Sequence, residues 1–413
     1  MATDPNRPGN GRTSSGPGVR RGNVERLLEA LRTHGPSSQA ALARRTQLSP
    51  ATVNSIVKDL RAEGTAEIQP VNGRESLVAL VAQQGVMVST QVNTDSITAA
   101  LFDFRTGSRH DAALTRGTDF DIEGGGPRDV ADLIHTLANE AGVQVGDLAG
   151  VGVAMQGPIS TVTGTAASWA RLQLPGWNDT PVAGTLGDLL GVPVVADNDA
   201  NLAALAEWTW GAGRGCTDFL YVMCSAQIGG GIVLDGKVHR GGDGLAGEIG
   251  HIVLDRNGPV CFCGSRGCLT TVASERSILS TLAASGTIKH ALPEVIDGAR
   301  EGDPACQRVL YEAGLALGRA LANTAKVIAP SVIAIGGLLG QAGPIMFESV
   351  RSSAEISSLL AVSPGIEFRA ARIGADAALL GGLASVLTLT AQGISTLPEW
   401  TTRQFRNDYS NTK

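Results

Sequence analysis

Apolar residues near the amino terminus fall at helical spacing twice. Val24, Leu27, Leu28 and Leu31 recur at i, i+3, i+4 and i+7, and Val53, Ile56, Val57 and Leu60 repeat the pattern. Gly35-Pro36 ends the first of these helices, and Ser38 is a candidate N-cap for a short helix through Ala41, Leu42 and Ala43. After the turn Thr46-Gln47-Leu48, Ser49-Pro50 reads as an N-cap followed by a proline in the first helical position. That third helix is expected to end near Gly64. Residues 67–70 and 76–80 then read as two strands around a loop holding Asn72-Gly73-Arg74.

Helix, helix, turn, helix and hairpin within about 60 residues describe a winged helix-turn-helix. Thr52, Asn54, Ser55, Lys58 and Arg61 lie off the apolar stripe of the third helix. With Ser38, Gln39 and Ser49 at the helix starts, they are candidate contacts to the bases and phosphates of double-stranded operator DNA. Arg74 at the hairpin tip is a candidate for a minor groove or a phosphate. The alternative is a three-helix dimerisation module with a solvated polar face.

From residue 85 the pattern changes to alternating strands and helices. Strands are expected at 86–90 and 96–104 (a hairpin), 148–155, 192–196, 218–223, 230–234 and 332–335, and helices at 130–141, 201–211 and 305–328. This is an α/β chain with a mixed sheet in two lobes. The expected division is a disordered arm at 1–21, the winged unit at 22–82, a first lobe at 83–210, a second lobe at 211–375 and a tail at 393–413. A helix at about 376–392 should pack back on the first lobe.

Composition narrows the class. The 413 residues are 43% hydrophobic, enough to bury a sizeable core and to exclude wholesale disorder. The 53 glycines show no three-residue period, which points to tight turns and close backbone approaches rather than collagen. The best membrane-span candidate, 327–347, is broken by Pro330, Gly336, Gly337 and Pro344, and the polar first 21 residues hold no secretory signal. Six cysteines in a chain this long do not make a disulfide framework. The expectation is a cytoplasmic protein with reduced thiols and no membrane partner, at the bacterial nucleoid when bound to DNA. Residues 1–64 carry 10 basic and 5 acidic side chains, whereas the rest carries 23 against 34. A basic front end on an acidic body directs only the front end to a polyanion.

The sharpest chemical signal is His251, Cys261, Cys263 and Cys268, spaced H-x9-C-x-C-x4-C among turn glycines. Three thiols and an imidazole within 18 residues suit one tetrahedral zinc per chain. Four protein ligands leave no open position, so such a zinc is structural. The plain alternative is three small buried cysteines in a turn, the reading that fits Cys216, Cys224 and Cys306. Glu248, three residues before His251, is placed to hydrogen-bond a polyol or to support His251. Asp197-Asn198-Asp199-Ala200-Asn201 sits between an apolar strand and a helix, where ligands of α/β sheets gather. An Asp there can serve as a general base or simply cap the helix.

Together GPIS (157–160), LPGW (174–177), NDAN (198–201), GGGIVLDGKVHRG (229–241), LAGEIGH (245–251), CFCGSRGCL (261–269), IAIGG (333–337) and GADAALLGG (374–382) carry a resemblance to the ROK family. That family comprises repressors, open reading frames and sugar kinases, and the resemblance runs from about Asn23 to about Val386. It implies a two-lobed, actin-like (ribonuclease H-like) ATPase-type fold with a sugar cleft between the lobes. The winged unit resembles that of the regulator branch. By the same resemblance Asn198, Asp199, Glu248 and His251 match contacts to sugar hydroxyls. The kinase phosphate loop D-x-G-G-T corresponds here to Gln91-Val92-Asn93-Thr94-Asp95, without its Asp or glycines. The kinases also carry a Gly in the loop before GGG, where this chain has Ser225-Ala226-Gln227-Ile228, and a family Glu directly after G-C-L is Thr270 here.

The sequence therefore predicts a non-enzymatic regulator, a repressor of carbohydrate-related genes. It should bind double-stranded operator DNA as a homodimer or homotetramer, under the control of a small sugar or phosphosugar. No ATP is expected, and Asp199 is a vestigial base. The rival readings are an ATP-dependent sugar kinase with a fused DNA-binding domain and a regulator that senses no ligand.

Overall fold

The computed structural model describes residues 17–62, 65–72, 75–80, 85–117, 119, 124–167, 173–356, 366–390 and 397–402. The chain divides into two compact units, with the boundary between Ala82 and Gln83.

The first unit holds helices α1 (Pro17–His34), α2 (Gln39–Thr46) and α3 (Pro50–Ala62) and the antiparallel strands β1 (Ala66–Asn72) and β2 (Glu75–Leu80). The capping residues act as their positions dictate. Ser38 Oγ accepts the N–H of Ala41 at 3.3 Å, and Ser49 Oγ accepts that of Thr52 at 3.1 Å. Gln47 takes the left-handed conformation that closes α2. Leu27, Leu31, Leu42, Val53, Ile56, Leu60 and Val78 form the unit's core. Ser37 and Val78 exchange backbone hydrogen bonds at 2.9 and 3.0 Å, so the chain before α2 extends the hairpin.

One expectation is corrected here: the helix begins at Pro17, not after residue 21. Proline in a first helical turn loses no needed donor, and Arg20 pairs with Asp59 on α3. Residues 1–16 of the expected arm, the tail from 403 and Arg74 lie outside the described residues.

The second unit contains two five-stranded sheets. The first comprises β3 (Val86–Val92), β4 (Ser96–Asp103), β5 (Ser108–Thr115), β6 (Leu148–Met155) and β7 (Val194–Asn198), in the order β5-β4-β3-β6-β7. β3, β4 and β5 form an antiparallel meander, and β3, β6 and β7 run parallel. α4 (Pro127–Glu140) and α5 (Val182–Leu190) share a core with this sheet through Val130, Ile134, Leu137 and Leu186. Buried Trp177 packs in the same core and donates its indole N–H to Gly125 O at 2.7 Å.

The second sheet comprises β8 (Phe219–Cys224), β9 (Ile228–Leu234), β10 (Lys237–His239), β11 (Val332–Gly336) and β12 (Glu367–Ala370), in the order β10-β9-β8-β11-β12. One core joins this sheet to α7 (Thr270–Ala273), α8 (Glu275–Ala284), α9 (Leu292–Arg300), α10 (Pro304–Ile328) and α11 (Pro344–Ile356). Between the sheets lie α6 (Asp199–Trp210) and α12 (Ala377–Leu389). α12 packs on β3, β6 and β7, while α6 packs on β8 and β9. The contact of α12 with the first sheet is backbone-close: a Cβ on Gly152 would lie 2.5 Å from Gly382 O, so only glycine fits there. Glu207 of α6, fully buried, accepts the N–H groups of Ala212, Arg372 and Ile373 at 2.7–2.8 Å. It thereby fastens the end of α6 to the segment that leads into α12.

Candidate functional site

His251 Nδ1 lies 3.5 Å from Cys261 Sγ, and Cys263 Sγ lies 3.8 Å from Cys268 Sγ. One donor atom from each of the four residues lies within 4.8 Å of every other. A tetrahedral ion with bonds of about 2.3 Å to sulfur and about 2.0–2.1 Å to nitrogen has donor–donor edges of about 3.6–3.8 Å. The group can therefore hold a metal. Glycine turns bend the chain around it, with Gly264 and Gly267 at positive φ. The Phe262 ring stands edge-on to the His251 ring at 5.0 Å.

The other nitrogen of the ring, Nε2, faces the Glu248 carboxylate at 3.8 Å. The Gly247–Gly250 turn is pressed onto the start of β9: a Cβ on Gly247 would lie 2.0 Å from Gly230 O, and one on Gly250 would lie 2.1 Å from Ile228 O. Gly229 of the same strand meets Ala200 at the start of α6. One end of β9 thus carries both acidic clusters read from the sequence.

In the second cluster Asn198 is the cap of α6, as well as a candidate ligand contact. Its Oδ1 accepts the N–H groups of Ala200 and Asn201 at 2.9 and 3.1 Å, and its Nδ2 donates to Asp199 Oδ1 at 3.1 Å. Asp199 is 5% exposed, and burial pushes its carboxyl up to about 7 against the hydrogen bonds that pull it down. Burial also pushes Glu248 up to about 7, and the charge of Asp199 adds to the rise. Each carboxyl is thus poised to hold or release a proton near neutrality and can accept or donate to a hydroxyl. Burial lowers the His251 pKa, favouring the neutral imidazole that a metal requires.

The sequence reading missed the supports of this site. Asp197 accepts from Asn201 Nδ2 at 3.0 Å and from Arg240 Nε at 2.7 Å, so the second lobe supplies a cation to the acidic strand end. Ser160 donates to Asp243, and Thr161 Oγ1 donates to Gly242 O at 3.2 Å, joining the loop after β6 to the approach to Glu248. Arg240 and Asp243 carried no spacing signal, because their partners lie more than 40 residues away.

At the turn between β3 and β4, Gln156 Oε1 accepts the N–H of Thr94 at 2.8 Å and its hydroxyl at 3.2 Å. Gln91 Nε2 donates to Asn93 Oδ1, and Asn93 Nδ2 donates to Ser96 Oγ, each at 3.3 Å. The side chains of the turn bond to one another and to Gln156.

In the first unit Asn54, Ser55, Lys58 and Arg61 are exposed on α3, and Ser49 at its start is exposed too. Ser38, Gln39 and Thr52 are half-buried. Ser38 and Ser49 each use an acceptor on a cap, and Thr52 Oγ1 bonds Ser49 Oγ at 2.8 Å. Arg44 and Arg45, exposed in the last turn of α2, add cations not singled out by the sequence reading.

A helix-turn-helix unit with a polar face on α3, followed by two sheets that enclose paired helices and a cluster of acidic side chains at one end of β9, defines a DNA-binding protein with a second α/β unit. Residues 21–65 match the winged helix-turn-helix DNA-binding family, and residues 94–389 match the ROK family. The chain belongs to the ROK family. It is 28% identical to the xylose repressor of Bacillus spizizenii over 377 residues, which cover 88% of this chain and 94% of that repressor. It is 34% identical to the glucokinase of Halalkalibacterium halodurans over 269 residues, 61% of this chain and 80% of that enzyme. A solved ROK transcriptional regulator, described as a homolog of the Escherichia coli Mlc protein, superposes with a TM-score of 0.73 at 23% identity. It covers 90% of this chain and 96% of that one. The fold is the actin-like, two-lobed α/β arrangement preceded by a winged helix. No helix among the described residues is long and apolar enough to cross a membrane.

Proposed function

We propose that this chain is a sugar-responsive repressor that binds operator DNA through α3 and its hairpin, with its effector held by Asn198, Asp199, Glu248 and His251. The observation that carries this reading is the likeness to a xylose repressor across 88% of the chain, winged unit included. The cleft chemistry agrees with it. A buried carboxyl, Asp199, a half-buried one, Glu248, and an imidazole offer the mixed donors and acceptors that polyols need. Winged-helix readers bind paired half-sites, so the working form is a homodimer or homotetramer.

The ion at the knuckle is zinc in this reading, held by His251, Cys261, Cys263 and Cys268. Bound there it supplies structure, because four protein ligands leave no position for substrate. His251 would spend Nδ1 on the metal and keep Nε2 for the cleft.

The glucokinase relative and the raised Asp199 favour a second reading, an ATP-dependent kinase with a fused DNA-binding unit. The closed turn at 93–96 weighs against it. An anion site needs free backbone N–H groups, and the N–H of Thr94 is bonded to Gln156. Incubation of the full chain with MgATP and glucose, N-acetylglucosamine, mannose or xylose tests the choice. No sugar phosphate is expected. Turnover that disappears in Asp199→Asn would establish the kinase.

A further inference from the structure

The six cysteines are unequal in access. Cys224, Cys261, Cys268 and Cys306 are buried, and Cys216 and Cys263 are half-buried. Cys263 differs from Cys216 in what it stands against. Its Sγ lies 3.8 Å from Cys268 Sγ, so the two sulfurs touch before any bond forms. Cys268 is fully buried and Cys261 is 3% exposed. An oxidant arriving from solvent therefore meets the knuckle first at Cys263, between the exposed residues Phe262 and Gly264.

The backbone keeps this pair together by its own hydrogen bonds. The N–H of Cys261 donates to Ser265 O at 2.8 Å, that of Gly264 to Cys261 O at 3.0 Å, and that of Gly267 to Pro259 O at 2.8 Å. Gly264 and Gly267, both at positive φ, lie between the two cysteines and give the short loop its freedom to adjust. A disulfide needs its sulfurs at about 2.05 Å, a small closure for side chains already in contact on a loop of this kind. A cysteine that ligates zinc is held as thiolate, the form that attacks a peroxide.

We propose that Cys263 and Cys268 form a peroxide-sensitive pair, and that its oxidation to a disulfide releases the knuckle ion. This rests on the zinc reading above. The Cys263 thiolate attacks one oxygen of a hydroperoxide, the O–O bond breaks, and hydroxide or alkoxide leaves, giving a sulfenic acid at Cys263. The Cys268 thiolate then attacks that sulfur, the S–O bond breaks, and hydroxide leaves. Two electrons pass from the two sulfurs to the peroxide, and two protons from solvent complete its reduction to water and water or alcohol. The disulfide sulfurs are no longer thiolate donors. Only His251 and Cys261 remain of the four, too few for a closed tetrahedral site.

The test treats the zinc-loaded full chain with excess hydrogen peroxide. Zinc release is followed with the chelating dye pyridylazoresorcinol, free thiols are counted, and disulfides are mapped by peptide mass spectrometry. One zinc per chain should be released as two of the six thiols are lost, and the disulfide should join Cys263 to Cys268. The melting temperature should fall with the zinc, and dithiothreitol with added zinc should restore both. Cys216→Ser, which removes the half-buried thiol outside the knuckle, should release zinc as wild type does. Zinc kept with the knuckle thiols intact, a disulfide between any other pair, or loss of zinc through sulfinic or sulfonic acid that dithiothreitol cannot reverse overturns the redox pair and leaves the zinc reading intact. Absence of zinc from the untreated chain overturns the zinc reading, and this inference with it.

Discussion

His251 and Glu248 stand with Nε2 and Oε2 3.8 Å apart, while the opposite nitrogen of the same ring faces Cys261 at 3.5 Å. One imidazole thus touches both the metal group and the Glu248 carboxylate, and in the proposed function the knuckle would bear on ligand binding through it. Cys261 on one side of the ring, Glu248 on the other and the edge-on Phe262 ring set its orientation. Holding it fixes where Nε2 can meet a ligand.

Metal content follows first. Elemental analysis should find one zinc per chain, and Cys263→Ser should lower zinc content and thermal stability together, because a closed tetrahedral site couples to folding. Strong chelators or acid should have the same effect on wild type. A fully stable, metal-free protein would remove the zinc assignment.

Asp199 sets a pH dependence with a definite sign. Its carboxyl is raised to about 7 from an ordinary value of 3.8. Between those values the folded state holds a proton that the unfolded state has lost. Stability therefore falls as pH rises through this window and levels off above the folded value. Asp199→Asn removes that contribution, so urea titrations from pH 5 to 8 should give a flatter profile for the variant. The difference should amount to a few kcal/mol at most, by the relation of about 1.4 kcal/mol per pH unit. Parallel profiles for the two proteins would contradict the buried acid.

Glu207 should matter to the fold out of proportion to its distance from the ligand. Glu207→Ala removes the acceptor of one buried N–H group, that of Ala212, and of two part-buried ones, those of Arg372 and Ile373, and should cost about 1–3 kcal/mol in chemical denaturation. Glu207→Gln, which keeps one acceptor oxygen, should cost less. A loss within about 0.5 kcal/mol for Glu207→Ala would show that α6 and α12 do not depend on this carboxylate.

On the proposed reading the α3 face should divide into phosphate and base contacts. Lys58→Ala should weaken binding to all sequences and lower the salt slope by about one unit. Asn54→Ala or Ser55→Ala should relax preference at one position, at a cost of about 1–3 kcal/mol. Filter binding over a salt series, with a randomised site, distinguishes the two outcomes. Equal loss of specificity in all three would place Lys58 at the bases.

The periodic parts of this structure were legible in the sequence. The stripes of α1 and α3, their serine caps and the apolar runs of β6, β8 and β11 announce themselves locally. β5, β10 and β12 were missed, because edge strands with polar or exposed positions, such as Ser108–Thr115, lack a sustained apolar run. α5, α8, α9 and α11 were missed as well. α5 and α8 show only a fragment of a stripe, whereas α9 carries a full one, Leu292, Val295, Ile296 and Ala299, that the sequence reading did not use. At the site, the Cys and His spacing carried the metal group and the N-D-A-N run carried the cap. Arg240 beside Asp197, Gln156 beneath Thr94 and Gln227 against Thr270 are tertiary pairings separated by 43 to 62 residues, and no local pattern reports them.

The most direct measurement concerns the switch itself. An operator is first selected from random DNA by the full chain, and its affinity is then measured with and without sugars and sugar derivatives. Wild type should respond to at least one of them by about 5–150-fold, the range that a coupling of about 1–3 kcal/mol allows. Glu248→Ala should keep the sugar-free affinity and lose the response. Operator affinity that ignores every sugar and derivative tested, with Glu248→Ala indistinguishable from wild type, would contradict a carbohydrate-controlled repressor.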